Sequence, residues 1–258
     1  MHTTLTRISL GLSAVILAAC SDPGSEAVPD PQPSDAPVSV AEPLRTPAAG
    51  QSAAIDPTVA DPNHYTVELE NDAVRILRIK YGAGEESVMH QHPDSVAVFL
   101  TDADGVMTIA DGSAIDFSIP AGSATFNPAG EHQPKNVSDS AWEVIEVELK
   151  SRNSVQGAAG GPDPTEVDAD HYTAEFENDD VRIVRIKYGA GEESVMHYHP
   201  DSVAVFVTDH LVHMTMPDGT SQEIPAAAGD AMFISGGQHL PKNISDSAWE
   251  LVLIELKR

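Results

Sequence analysis

Hydrophobic and polar positions alternate along much of this chain with a period near two. In the run that begins at Val74, Ile76 and Arg78 share its face, while Arg75, Leu77 and Ile79 fall on the other. That is the spacing of a β-strand, whose successive side chains point to opposite sides. Residues 95–101, 106–110, 115–119 and 142–149 read as further strands, rich in β-branched and aromatic residues. Turn signals separate them: Tyr81-Gly-Ala-Gly84, Asp111-Gly112, Pro120-Ala-Gly122 and Pro128-Ala-Gly130. No window carries a 3.6-residue apolar period. Many short strands joined by tight turns predict an all-β sandwich or barrel.

The pattern occurs twice. Residues 64–150 align without a gap on residues 171–257, and roughly six positions in ten are identical. A unit this long, present in only two copies, fits a duplicated domain better than a solenoid. The expected organisation is one domain over 63–150, a Gly-rich linker over 151–170 and a second domain over 171–258. Residues 20–62 are rich in Pro, Ala, Ser, Asp and Glu and poor in large apolar side chains. Such a segment buries too little surface to fold and reads as a disordered tether.

Composition adds two constraints. The formal net charge is -26 over 258 residues. A surface of that sign repels phosphate backbones, so nucleic acid is not an expected partner; solubility is the ordinary use of such acidity. The single cysteine, Cys20, follows a basic Arg7 and an apolar stretch over residues 8–18. That stretch is too short for a membrane span and has the form of a signal segment. Leu17-Ala18-Ala19-Cys20 resembles the lipobox of bacterial lipoprotein precursors. The resemblance implies a signal peptide over 1–19, cleavage before Cys20 and acylation of that residue. A multiply acylated anchor holds stably to a membrane. With Ser21 after the cysteine, the expected location is the outer membrane, facing the periplasm. One cysteine leaves no partner for an intrachain disulfide.

The candidate chemistry lies in histidines. His90, His92 and His132 recur as His197, His199 and His239, each 107 positions further on. Two residues apart on a strand, His90 and His92 present their rings to one side. His132, from another strand, is the natural third ligand. Neutral imidazoles suit Fe, Zn, Cu, Ni and Co. Three protein ligands leave coordination positions open, as catalytic sites do.

At these residues the chain resembles the cupin superfamily, in its two-domain or bicupin form. Gly84, His90 and His92 match the first family motif, a glycine, five residues, then His-x-His. Gly122, Pro128, Gly130, His132 and Asn136 match the second, with one residue fewer between the last glycine and the histidine. Gly191, His197, His199, Gly229, Gly237, His239 and Asn243 repeat both, with Ser235 in place of the proline. The resemblance implies two tandem jelly-roll barrels (double-stranded β-helices) with a metal inside each, packed against one another in the manner of a dimer. Many cupins carry a glutamate ligand four or five residues after the second histidine. Here Val96 and Ala97 stand there, and Val203 and Ala204 in the second copy. The sites therefore resemble three-histidine cupins, which favours Fe²⁺, with Zn²⁺, Ni²⁺ or Cu²⁺ compatible, over oxygen-preferring Mn²⁺.

Other residues are weighed beside them. Glu85, Glu86, Glu192 and Glu193 are candidates for proton transfer or second-sphere contact, and solvated turn residues otherwise. Asp94 and Asp201 either orient a ligand histidine or cap the turn. Asn136 and Asn243 share the ligand face by strand counting, while Lys135 and Lys242 face solvent. His64, His171, His210 and His213 read as surface or loop-edge residues, and Trp142 and Trp249 as barrel core or rim. Arg75 and Arg78 are expected in salt bridges. The function expected is an envelope-anchored metal-dependent oxidoreductase of dioxygenase type acting on a small molecule. The alternative is a non-catalytic lipoprotein that binds a metal or small ligand.

Overall fold

The computed structural model describes residues 55–150 and 160–257. The signal segment, Cys20 and most of the tether lie outside the described residues.

Each repeat folds as nine strands. The first has β1 (Tyr65–Glu70), β2 (Val74–Tyr81), β3 (His90–His92), β4 (Ser95–Phe99) and β5 (Ala103–Ile109), then β6 (Ala114–Ile119), β7 (Ala124–Asn127), β8 (Gly130–Asn136) and β9 (Trp142–Leu149). The second has β10 (Tyr172–Glu177), β11 (Val181–Tyr188), β12 (His197–His199), β13 (Ser202–Phe206) and β14 (His210–Thr215), then β15 (Ser221–Ala226), β16 (Ala231–Ile234), β17 (Gly237–Asn243) and β18 (Trp249–Leu256). In each, a five-stranded sheet faces a four-stranded one. The orders are β1-β2-β9-β4-β7 and β3-β8-β5-β6 in the first repeat, and β10-β11-β18-β13-β16 and β12-β17-β14-β15 in the second. All pairings are antiparallel. These are two tandem jelly-roll barrels.

The central strands explain why alternation fades in the most hydrophobic segments. In β9 every residue except Glu143 is buried. Trp142 and Val144 enter the core inside the barrel. Ile145, Val147 and Leu149 leave on the outer face, where they form one core with Val181, Ile183 and Ile254 of the second barrel. A strand covered on both faces shows little polar alternation. Phe126 stacks on Phe176 of the other barrel with ring centroids 5.5 Å apart. Arg78 Nη2 donates to the Gly229 carbonyl across the same contact at 2.7 Å. Its remaining partners are Glu68 and Glu143. The barrel–barrel packing thus buries a continuous apolar layer rather than a polar rim.

One turn shows how the motif glycine acts. Glu85 N–H closes a tight turn onto the Gly82 carbonyl at 3.1 Å. Gly84 occupies its third position with φ of 73°, a left-handed conformation that costs glycine little.

Order begins earlier than composition suggests. Inside the segment expected as tether, α1 (Pro57–Ala60) forms a single turn capped by Asp56. Inside the expected linker, α2 (Pro164–Val167) is capped by Asp163. The caps are also tied down electrostatically, Asp56 to Arg75 at 2.6 Å and Asp163 to Arg182 at 2.6 Å. The repeated unit therefore starts at the Asp-Pro-Thr triplet, eight residues before His64 and His171.

Candidate metal centre

His90 and His92 lie on the three-residue strand β3, both buried, with the exposed Gln91 between them. Antiparallel pairing with β8 sets His132 directly across from His90. The three rings stand 4.8 to 5.0 Å apart. In the second barrel β12 and β17 place His197, His199 and His239 the same way, 4.8 to 5.2 Å apart. Within each triad one ligand atom per residue lies within 4.8 Å of the others. Among the described residues no carboxylate joins either group.

The hydrogen bonds decide which nitrogen is free. His90 Nδ1 donates to the Val88 carbonyl at 2.7 Å, and His197 Nδ1 to the Val195 carbonyl at 2.8 Å. His92 Nδ1 donates to Glu148 Oε1 at 2.8 Å, and His199 Nδ1 to Glu255 Oε1 at 2.6 Å. Each of these four rings thereby carries its proton on Nδ1 and presents a bare Nε2. Those of His90, His92 and His197 are buried with no hydrogen-bond partner. Buried polar atoms are otherwise almost always paired. Orphaned lone pairs on His90 and His92 in the first triad and on His197 in the second fit a divalent metal ion, and the fixed Nδ1 protons are what metal-bound histidines require. Each triad thus has the donor set for one such ion.

Electrostatics keep most of the rings neutral. Burial, with the neighbouring imidazoles, lowers His132 to about 3 and His239 to about 3. His90 and His197 are lowered to about 4, burial again leading. His92 differs: burial acts to lower its pKa, but Glu146 and Glu148 outweigh it and hold the value above the ordinary one.

The acids that support the site come from the last strand of each barrel. Glu148 is 1% exposed and also accepts from Arg75 Nε; Glu255 is 2% exposed and accepts from Arg182 Nε at 2.5 Å. Burial works against the charge of Glu148, yet His92 and Arg75 hold its carboxyl below the usual range. A relay of Asp56, Arg75, Glu148 and His92 thus runs from the α1 cap to the triad. The sequence carried a signal for this: Glu146, Glu148 and Glu255 interrupt otherwise apolar strands on the inward face.

Residues singled out by sequence divide clearly. Glu86 is exposed and engages Lys135 at 3.2 Å and Gln133 at 3.0 Å; Glu193 pairs with Lys242 at 3.7 Å. Glu85 and Glu192 close their glycine turns and contact His64 and His171. Asp94 accepts from Ala129 N–H at 2.8 Å and Asp201 from Gly236 N–H at 2.6 Å, tying turn to turn. Asn136 and Asn243 are fully buried and donate to the Gly82 and Gly189 carbonyls at 2.9 Å. His64 and His171, expected at the surface, stack on Tyr81 and Tyr188 at 4.3 and 4.1 Å. His64 and His171 also bond Asp61 and Asp168, which reach Ser87 and Ser194 behind the first ligand histidine. His210, expected at a loop edge, is 8% exposed and packs on Trp249 with centroids 4.3 Å apart. His213 stays half-buried on β14. Trp142 and Trp249 are core residues.

No family model matches the sequence, and no curated protein matches it. Solved structures do. AerE from Microcystis aeruginosa superposes with a TM-score of 0.56 at 14% identity, over 75% of this chain and 93% of that one. An oxalate decarboxylase structure gives 0.51 at 12% identity, over 74% of this chain and 71% of that one. A cupin domain from Bordetella pertussis is 27% identical over 34% of this chain and 92% of its own, with a TM-score of 0.32. The first two likenesses show the fold, two tandem cupin barrels.

Proposed function

We propose that this chain is a bicupin lipoprotein of the bacterial envelope, anchored through acylated Cys20, that holds a divalent transition metal ion on each histidine triad and acts on a small molecule. The observation that carries it is the set of unpartnered Nε2 atoms of His90, His92 and His197, each with its Nδ1 proton already committed. Three imidazole ligands without a carboxylate favour Fe²⁺, with Zn²⁺, Ni²⁺ and Cu²⁺ as competitors. The anchor and the outer-membrane location rest on the lipobox resemblance alone.

A bound ion of this kind supplies open coordination positions and Lewis acidity, or oxygen chemistry if it is iron. The chain's own residues do the rest. Val88, Glu148 and their counterparts orient the rings, and Arg75 and Arg182 keep the supporting carboxylates charged. Among the residues lining the second barrel's cavity there is no carboxylate. That lining favours dioxygenase-type chemistry, which needs no protein base, over hydrolysis. It equally suits the alternative of a non-catalytic ligand binder.

Elemental analysis of the reconstituted chain tests the reading. We expect about two ions per chain, falling by one in His90→Ala and by one in His197→Ala. Absence of bound transition metal after reconstitution would overturn it. Ligand binding to Fe²⁺-loaded protein without O₂ uptake would assign the binding role.

A further inference from the structure

The two barrels share a triad but not an interior. In the first, Glu146 is buried; its carboxyl accepts from Ser95 Oγ at 2.7 Å and lies 3.4 Å from His92 Nδ1. In the second, Leu253 occupies the matching position. Ser202, the counterpart of Ser95, is 1% exposed, and its hydroxyl has no partner. A buried donor left unpaired is costly, and it lies in the wall of a cavity.

That cavity measures about 440 Å³ and is bounded by His199 and His239 at the metal end. Its walls are Met214, Met216, Met232, Phe206, Leu251 and Leu253. Methionine lining suits irregular apolar occupants. Where Met232 and Ile234 stand, the first barrel has Thr125 and Asn127. The first barrel is also filled from the opposite sheet. A methyl group added at Gly105 would lie 2.2 Å from Phe117 Cζ, so that ring rests on the Gly105 backbone. The second barrel has Val212 and Ile224 instead. His210 at the start of β14 adds no charge, because burial keeps it neutral above about pH 4.

We propose that the second barrel alone binds an elongated apolar carboxylate, its head toward the Ser202 hydroxyl and the imidazole end and its hydrocarbon among the methionines. The first barrel places the Glu146 carboxyl on the corresponding serine, and so excludes such a head by occupancy. The inference rests on the metal-binding reading only in expecting an ion near the head.

Isothermal titration of the metal-reconstituted full chain with decanoate tests it, with metal content measured on the same samples. The expected result is one decanoate per chain, not displaced by malonate. Leu253→Glu should weaken binding at least tenfold by rebuilding the first barrel's serine contact. Met232→Thr, the milder change to the first barrel's residue, should weaken it several-fold and serves if Leu253→Glu does not fold. Ser202→Ala should weaken it also. Two equivalent decanoates per chain, or affinity unchanged in the folded variants, would overturn the proposal. So would no binding by protein that carries its metal. Protein that takes up no metal on reconstitution yet binds decanoate would overturn the metal reading and leave this one standing.

Discussion

Glu148 receives the Nδ1 proton of His92 in a 2.8 Å hydrogen bond, with Arg75 against its other oxygen. The carboxylate therefore sets the tautomer of a metal-facing ring without touching the metal position. Removing its charge while keeping its shape should loosen the ion, not the fold. We expect Glu148→Gln to weaken metal binding at the first site about 10- to 100-fold and leave the second unchanged. Competition with a chromophoric chelator measures both. Unchanged affinity at the first site would show that Glu148 is merely structural.

Asn136 makes the opposite case. It is fully buried, donates to the Gly82 and Ser140 carbonyls at 2.9 and 2.8 Å, and accepts from Ser138 N–H at 2.9 Å. Truncation strands several part-buried backbone groups. Asn136→Ala should cost about 2–3 kcal/mol of stability while metal stoichiometry stays at wild type. Denaturant titration beside elemental analysis separates the two effects.

His210 should make the protein acid-sensitive. Burial lowers its pKa from 6.5 to about 4. The unfolded chain takes up this proton first as pH falls, so stability drops between pH 6.5 and about 4 and is fully retained above 6.5. The loss through this one residue is about 3 kcal/mol at its limit. His210→Ala places the first barrel's Ala103 residue there and should flatten the pH dependence of unfolding over that window. Parallel curves for variant and wild type would refute the buried neutral imidazole.

The shared core predicts cooperativity between barrels. Ile254 is completely buried in the layer that also holds Val147, Ile145 and Val181. Ile254→Ala should destabilise the protein by about 2–5 kcal/mol. In chelated wild-type protein, far-ultraviolet dichroism and tryptophan fluorescence should report one coincident transition. Two separate transitions would mean that the barrels do not depend on each other.

Most of the strand framework was legible in the alternation that starts at Val74. The short strands β3, β7 and β8 were less so, because three to seven residues carry little periodicity. The histidine spacing exposed both triads, since strand period and duplication constrain it. Glu148 and Glu255 were missed because a glutamate in an apolar strand reads equally as an edge charge. Only burial against Arg75 and Arg182 separates the two. His64 and His210 misled for a similar reason: an isolated histidine has no periodic signature, and its exposure depends on which ring packs over it.

The sequence alone determined the duplication, the β class and the two sets of imidazoles, because these follow from spacing along one chain. Tertiary structure decided what those spacings could not encode. It brought Glu148 from the last strand to His92, made the outer faces of two sheets into one core, and turned the change from Glu146 to Leu253 into a different interior. Each of these depends on contacts between residues distant in sequence, where burial and the loss of competing water set the energies. A pair of matching histidine sets thus came to sit in two barrels of unlike lining.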